Sequence, residues 1–146
     1  MENIQNTLFF NDDVFVMQQS HVDELKRIAL LHQFKRSRLC LHGSRNDAVQ
    51  EMIIVAHRDS KLEAHRHPPL KPESYHVIEG ELAVNIFSDN GEIIKQIVLR
   101  HDAYPRMYRI QGNIWHQPIP ISEWVVYHEV YTGPFDKNLD VVYRDW

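Results

Sequence analysis

His65 and His67 stand two residues apart, a spacing that sends both imidazoles to one face of a strand. Two imidazoles on one face can chelate a divalent metal. Pro68 keeps His67 out of the α region and so holds it extended. Prolines at 68, 69 and 72 stiffen the turn that follows, and the chain returns with Glu73 at the head of the next strand. A carboxylate there can supply a third ligand. Glu73, Tyr75 and Val77 share one face of that strand, His76 falls on the other, and Gly80 closes it. A further histidine, His116, follows the Gly112-Asn113 turn. The plainer readings are packing for the His-x-His pair and a surface carboxylate beside Lys71 for Glu73; the stiff turn that joins them favours the metal.

The elements that must position these residues are mostly short strands. Period-two alternation marks strands over 36–42, 51–57, 62–67, 73–79, 81–87, 93–99, 104–110 and 124–131. Their separators are Gly43-Ser44, Gly80, Asp89-Asn90-Gly91, Gly112-Asn113 and Gly133-Pro134. Asn90-Gly91 signals a hairpin, since both residues tolerate positive φ. Eight closely spaced strands predict an antiparallel barrel or double-sheet jelly roll. One helix is expected over 20–34, capped by Ser20, with Asp23 and Glu24 in its first turn and Val22, Leu25, Ile28 or Ala29, and His32 on one face. Residues 1–35 then form an N-terminal extension and 36–146 the barrel. Leu8-Phe9-Phe10 and Val14-Phe15-Val16 are apolar enough to add a strand or cover an edge.

Composition bounds the function. A chain of 146 residues with 43% hydrophobic and 25% charged residues suits one globular domain. The longest apolar run, Met52–Ala56, is far short of the roughly 20 residues a membrane span needs. The opening MENIQNTLFF lacks a basic n-region before an apolar core, and the single cysteine, Cys40, excludes an intrachain disulfide. A cytoplasmic location is the expectation. The net charge of −4 argues against nucleic-acid binding. Yet Lys26, Arg27, Lys35, Arg36, Arg38 and Arg45 fall within residues 25–46 with no acid among them, an excess that can attract an anionic ligand or simply form a solvated face.

The block from His65 to Gly80, with His116 on a later strand, resembles the two motifs of the cupin superfamily. Arg36-Ser37-Arg38-Leu39-Cys40-Leu41-His42, Val49-Gln50-Glu51-Met52, Gly91, Trp115-His116, His128-Glu129-Val130 and Gly133-Pro134 extend the likeness. Together they resemble the WbuC-type cupin-fold metalloproteins, which occur with bacterial O-antigen and surface-polysaccharide genes. The resemblance implies an all-β fold, a single cupin (double-stranded β-helix or jelly-roll barrel) with one N-terminal helix. It also implies that His65, His67, Glu73 and His116 hold one metal, and that the chain forms a homodimer. The chain departs from the general pattern in having five residues between His67 and Glu73, Asp59 and Asn113 at usual glycine positions, and Gln111 at a usual proline. Asn113 can adopt the left-handed conformation that a glycine provides.

Three imidazoles and one carboxylate leave one or two positions open on a five- or six-coordinate ion. Such a set suits one divalent transition metal, iron, manganese, nickel or zinc. An open position can activate water or polarise a substrate oxygen. Tyr75 and Tyr104 are candidate proton-transfer groups, Glu129 a general base and Arg106 a positive charge at the mouth, each set against ordinary packing or surface placement. Arg38, Cys40 and His42 share a strand face that can meet an anionic substituent, with Cys40 read as a small core residue. The expected function is a metal-dependent isomerase or epimerase acting on a sugar or sugar nucleotide in surface polysaccharide biosynthesis. The expected small-molecule ligand is phosphorylated or acidic, and neither nucleic acid nor membrane is a partner. Two alternatives are a non-catalytic module that binds an anionic sugar and an iron-dependent oxygenase.

Overall fold

Alternating apolar and polar residues carry a little under half of this chain into strands that pair into two facing sheets. The protein is described from a computed structural model covering residues 4–146. The elements in chain order are β1 (Thr7–Phe9), α1 (Gln19–Leu31), β2 (Arg36–Cys40), β3 (Val49–His57), β4 (Ala64–Arg66), β5 (Glu73–Glu79) and β6 (Glu81–Phe87). They continue with β7 (Ile93–Arg100), β8 (Met107–Ile110), β9 (Trp115–Pro120), β10 (Trp124–Thr132), α2 (Lys137–Asp140) and β11 (Val142–Arg144). One sheet runs β1-β2-β3-β10-β5-β8 and the other β11-β4-β9-β6-β7. This is the all-β jelly-roll barrel with an N-terminal helix.

Two cores hold it together. Between the sheets, Tyr75, Val77, Leu82, Val84, Leu99, Val125 and Tyr127 fill the barrel, each at most 8% exposed. Behind the first sheet, Val22 and Leu25 of α1 press on Leu39, Ile53, Val55 and Val126. Each such side chain contributes roughly 1.5–3 kcal/mol by leaving water. The same strand therefore serves both cores, with Tyr127 facing in and Val126 facing the helix. Ser37 sits under α1 without cost because its hydroxyl donates to the Leu25 carbonyl at 2.6 Å.

Several boundaries differ from the sequence expectation. Helix α1 begins at Gln19, and its cap is Gln18, whose N–H donates to His21 Nδ1 at 2.9 Å; Ser20 lies inside the first turn. The helix stops at Leu31 because His32 turns extended. Strand β1 adds to the edge as the apolar N-terminal segment suggests, pairing in parallel with β2. The hairpin at Asn90-Gly91 joins β6 to β7, with Gly91 at φ 86°. Strand β9 lies in a stretch that alternation did not mark, because Pro118 and Pro120 argue against a strand. Ile121 N–H points to Glu81 on β6, so the nitrogens of residues 118 and 120 face the other way. Beyond the single His65–His116 pairing, β4 leaves that side of β9 open, and the missing proline donors cost no ladder bond.

Candidate metal centre

Register brings the four expected ligands together. His65 on β4 pairs directly with His116 on β9, and Glu73 on β5 faces them from the opposite sheet. The turn before β9 is tied to the His-x-His segment by Asn113 N–H donating to the His67 carbonyl at 2.7 Å. Asn113 takes the left-handed conformation at φ 67°. A Cβ on Gly112 would lie 1.9 Å from the Pro68 carbonyl oxygen, so only glycine permits this approach. One ligand atom from each of His65, His67, Glu73 and His116 lies within 4.8 Å of the others.

The protons on these rings are set by their outer partners. His65 Nδ1 faces the Glu63 carbonyl at 2.9 Å, His67 Nδ1 the Asp140 carbonyl at 2.8 Å and His116 Nδ1 the Ile114 carbonyl at 2.9 Å. A carbonyl only accepts, so each Nδ1 carries a proton; Nε2 is then free to ligate an ion when the ring is neutral, or to carry a second proton when no ion is bound. Those Nε2 atoms meet a carboxylate. Glu73 Oε1 lies 2.6 Å from His116 Nε2 and Oε2 lies 3.0 Å from His67 Nε2. The second contact is misaligned for a hydrogen bond, and the buried His67 Nε2 has no hydrogen-bond partner. An orphaned imidazole nitrogen beside a carboxylate calls for a cation, and the residues fit a divalent transition ion.

Burial, aided by the neighbouring His116, pulls His65 down to about 4, so it is a neutral ligand near pH 7. Burial works against the charge on Glu73, but the His116 hydrogen bond and the close His67 ring hold its carboxyl far below the usual range. His67 is raised despite its burial, because the Glu73 carboxylate stabilises its charged form.

Around this cluster the inner face of the first sheet forms rows across the strands. Cys40, Met52, Glu129, Tyr75 and Tyr108 lie side by side, and Gln50, Tyr131 and Glu73 form the next row. Burial first, and the Glu73 charge second, push the Glu129 carboxyl up to about 8. Burial raises Tyr75 well above the usual phenol value, so it stays a neutral donor. Cys40 is buried, and its thiol is likewise raised by burial.

The other expected residues are scattered. Arg38 shares the inner face with Cys40, and its Nε donates to Thr7 Oγ1 at 3.2 Å. His42 Nδ1 is engaged by the Glu51 backbone, 2.9 Å from its nitrogen and 3.0 Å from its oxygen. Tyr104 is 84% exposed, and the Arg106 guanidinium lies over its ring at 4.7 Å. Arg106 bonds through its carbonyl to Val77 N–H, four residues along β5 from Glu73 and so about 13 Å away by strand rise. The structure does not bring this pair to the metal cluster.

Two contributors were missed in the sequence. Asp140 lies beyond every strand that alternation marks, yet its carbonyl orients His67 and its carboxylate accepts from Lys71 and Tyr131, each at 2.7 Å. Against the desolvation of burial, the Lys71 bond and its companions keep that carboxyl ionised below its ordinary value. Arg36, noted in the basic cluster and in the family likeness but given no role, shares the inner face of β2 with Arg38, and its guanidinium donates to the Lys61 carbonyl at 2.9 Å.

Comparison with known proteins agrees with this architecture. The family described as Domain of unknown function (DUF6016) matches residues 17–99, more than half of the chain. No curated protein sequence matches. Among solved structures, the chain is similar to the capsular polysaccharide assembling protein CapF from Staphylococcus aureus, at a TM-score of 0.59 and 17% identity, covering 69% of this chain and 27% of that one. It is similar to protein SO0799 from Shewanella oneidensis, at a TM-score of 0.58 and 10% identity, over 68% of this chain and 64% of that one. An oxalate oxidase in complex with the substrate analogue glycolate gives a TM-score of 0.52 and 16% identity, over 66% of this chain and 46% of that one. The chain thus spans about a quarter to two thirds of the length of these structures. The shared fold is that of the cupins. Among the described residues, no helix is long and apolar enough to cross a membrane.

Proposed function

We propose, for a chain that belongs to the family described as Domain of unknown function (DUF6016), a metal-dependent isomerase or epimerase acting on a sugar or sugar nucleotide of surface polysaccharide assembly. The observation that carries the reading is the convergence of His65, His67, Glu73 and His116 within 4.8 Å, with Glu129 in the adjoining row of the inner face. The substrate class is supported by the resemblance to WbuC-type cupins and by the fold shared with a capsular polysaccharide assembling protein.

His65, His67, Glu73 and His116 would hold the ion, which when bound supplies a Lewis acid for a substrate carbonyl or hydroxyl oxygen. Proton transfer falls to Glu129. Its carboxyl, poised near neutral pH, is matched to giving and taking a proton at a carbon next to that oxygen. Tyr75, neutral and beside Glu129, donates a hydrogen bond that orients the carboxyl or the substrate hydroxyl. Arg38 on the same face meets a phosphate or acid group of the substrate.

The test is elemental analysis of untagged protein beside a His65→Ala/His67→Ala variant, followed by incubation with sugar nucleotides in deuterium oxide. About one equivalent of metal, lost in the variant, and deuterium entering one carbon of a sugar only while Glu129 is intact would support the reading. Absence of metal binding on titration would end it. An iron-dependent oxygenase draws on the same donor set, and iron as the retained metal with oxygen uptake would favour it. A non-catalytic sugar-binding module predicts that Glu129→Gln leaves ligand affinity intact and that no exchange occurs.

A further inference from the structure

We infer that His76 and His128 form a second, surface-accessible site for an imidazole-seeking divalent cation such as zinc, nickel or copper. Both lie on the face of the first sheet that points away from the barrel, alternating with the inward Tyr75 and Glu129. They are direct cross-strand partners on β5 and β10, which sets their side chains next to one another. Their Nδ1 atoms are 3.4 Å apart, and the ring planes meet at 70°. For a nitrogen-to-nitrogen hydrogen bond that separation is long. For two ligands on one ion it is well sized: with metal–nitrogen bonds of about 2.05 Å, the two atoms subtend roughly 110° at the cation, close to the tetrahedral angle.

Glu51 prepares one of the two ligands. Its Oε2 lies 2.6 Å from His128 Nε2 and only accepts, so the ring proton sits on Nε2 and the Nδ1 lone pair is turned toward His76. A carboxylate behind a ligating histidine fixes the tautomer and raises the basicity of the ring. The side chains of His128 and Glu51 are 22% and 39% exposed, so an ion from solution reaches them. Next to them opens a cleft of about 520 Å³ whose lining includes Asp12 and Asp13. Their charges favour a dication, and the space admits water or a small chelating anion in the positions that the two histidines leave free. The site shares no residue with the inner cluster, and its presence does not depend on the activity proposed above.

The test titrates the metal-free full chain with Zn²⁺ by calorimetry and with Cu²⁺ by electron paramagnetic resonance. Wild-type protein should bind two equivalents. His76→Ala and His128→Ala should each weaken one of them at least tenfold and remove one nitrogen from the copper spectrum, leaving the other equivalent unchanged. Glu51→Gln keeps both donors and should weaken the same equivalent by about 10- to 100-fold. His65→Ala/His67→Ala should instead remove the inner equivalent and leave this one in place. Should His128→Ala fail to fold, His76→Ala at the partly exposed position gives the same reading. A wild-type stoichiometry of one, lost in His65→Ala/His67→Ala, would overturn the second site while sparing the first. So would a second equivalent that His76→Ala does not weaken.

Discussion

His116 Nε2 lies 2.6 Å from Glu73 Oε1, and neither side chain exposes more than 2% of its surface. A carboxylate so deeply buried is tolerable only with charge or donors around it. Here the rings supply that partner when protonated and share it with a cation when neutral. Glu73→Gln keeps the shape and removes the charge. We expect the inner metal equivalent to be lost, and with it the thermal stabilisation that metal confers on the wild type. At a free ion concentration 100 times the dissociation constant, that stabilisation is about 2.7 kcal/mol. Thermal melts of both proteins with and without Zn²⁺ check it; an equal upward shift in the variant would remove Glu73 from the ligand set.

Asp140 reaches the same centre from the far end of the chain. Its carbonyl fixes the His67 tautomer, while its carboxylate ties α2 to Lys71 and Tyr131. Asp140→Asn keeps one acceptor oxygen but leaves Lys71 without its counter-charge. The expected cost is about 1–3 kcal/mol of stability, from a buried network left partly unsatisfied. The backbone carbonyl that orients His67 survives the substitution, so metal affinity should fall by no more than about 10-fold, through the loosening of α2. Urea unfolding and a competition titration measure the two effects separately.

The readable part of this protein was the part written in local alternation. His65, His67 and Glu73 could be set on inward faces because period two and the proline turn leave few other geometries. The Asn90-Gly91 hairpin and the Val22, Leu25, Ile28 face of α1 were legible for the same reason. Strand β9 was hidden by its prolines, which are harmless only because β4 begins no earlier than Ala64 and leaves Pro118 and Pro120 unpaired on that side. Asp140 was hidden because its role depends on a contact across 73 residues of sequence. Tyr104 read as a proton-transfer group and Arg106 as a charge at the mouth, but the loop before β8 stacks them on each other in solvent. His76 and His128 each looked unremarkable alone, and only the β5–β10 register pairs them.

Gly112→Ala tests how far the turn, rather than the ligands, makes the site. Its Cβ would sit 1.9 Å from a backbone oxygen of Pro68, which no side-chain rotation can relieve. The Asn113–His67 bond would have to lengthen and carry His116 away from His65. We expect a loss of about 1–3 kcal/mol together with weaker metal binding, although all four ligands remain. Metal affinity equal to that of the wild type would show that His116 is placed by the β6–β9 ladder alone.

The pH dependence of the metal-free protein carries the signature of Glu129. Burial and the Glu73 charge raise its carboxyl from 4.5 to about 8, so between those values the folded chain holds a proton that the unfolded chain has lost. Stability then falls with rising pH, by up to about 1.4 kcal/mol per unit. His65 acts in the opposite sense. Held down to about 4, it is neutral in the folded chain while the unfolded chain is protonated below 6.5, so stability rises with pH across that lower window. The two slopes offset one another up to pH 6.5, and the Glu129 loss stands out from 6.5 to 8. His67, raised by Glu73, loses its stabilisation above 6.5 as well and adds a share common to wild type and variant. Glu129→Gln should therefore lose up to about 2 kcal/mol less than the wild type between pH 6.5 and 8 in urea unfolding. Saturating Zn²⁺ should shrink that difference, since a nearby dication favours the ionised carboxylate. Identical pH profiles for the two metal-free proteins would mean that Glu129 is already ionised at pH 6.5, and it could not then deliver the proton assigned to it.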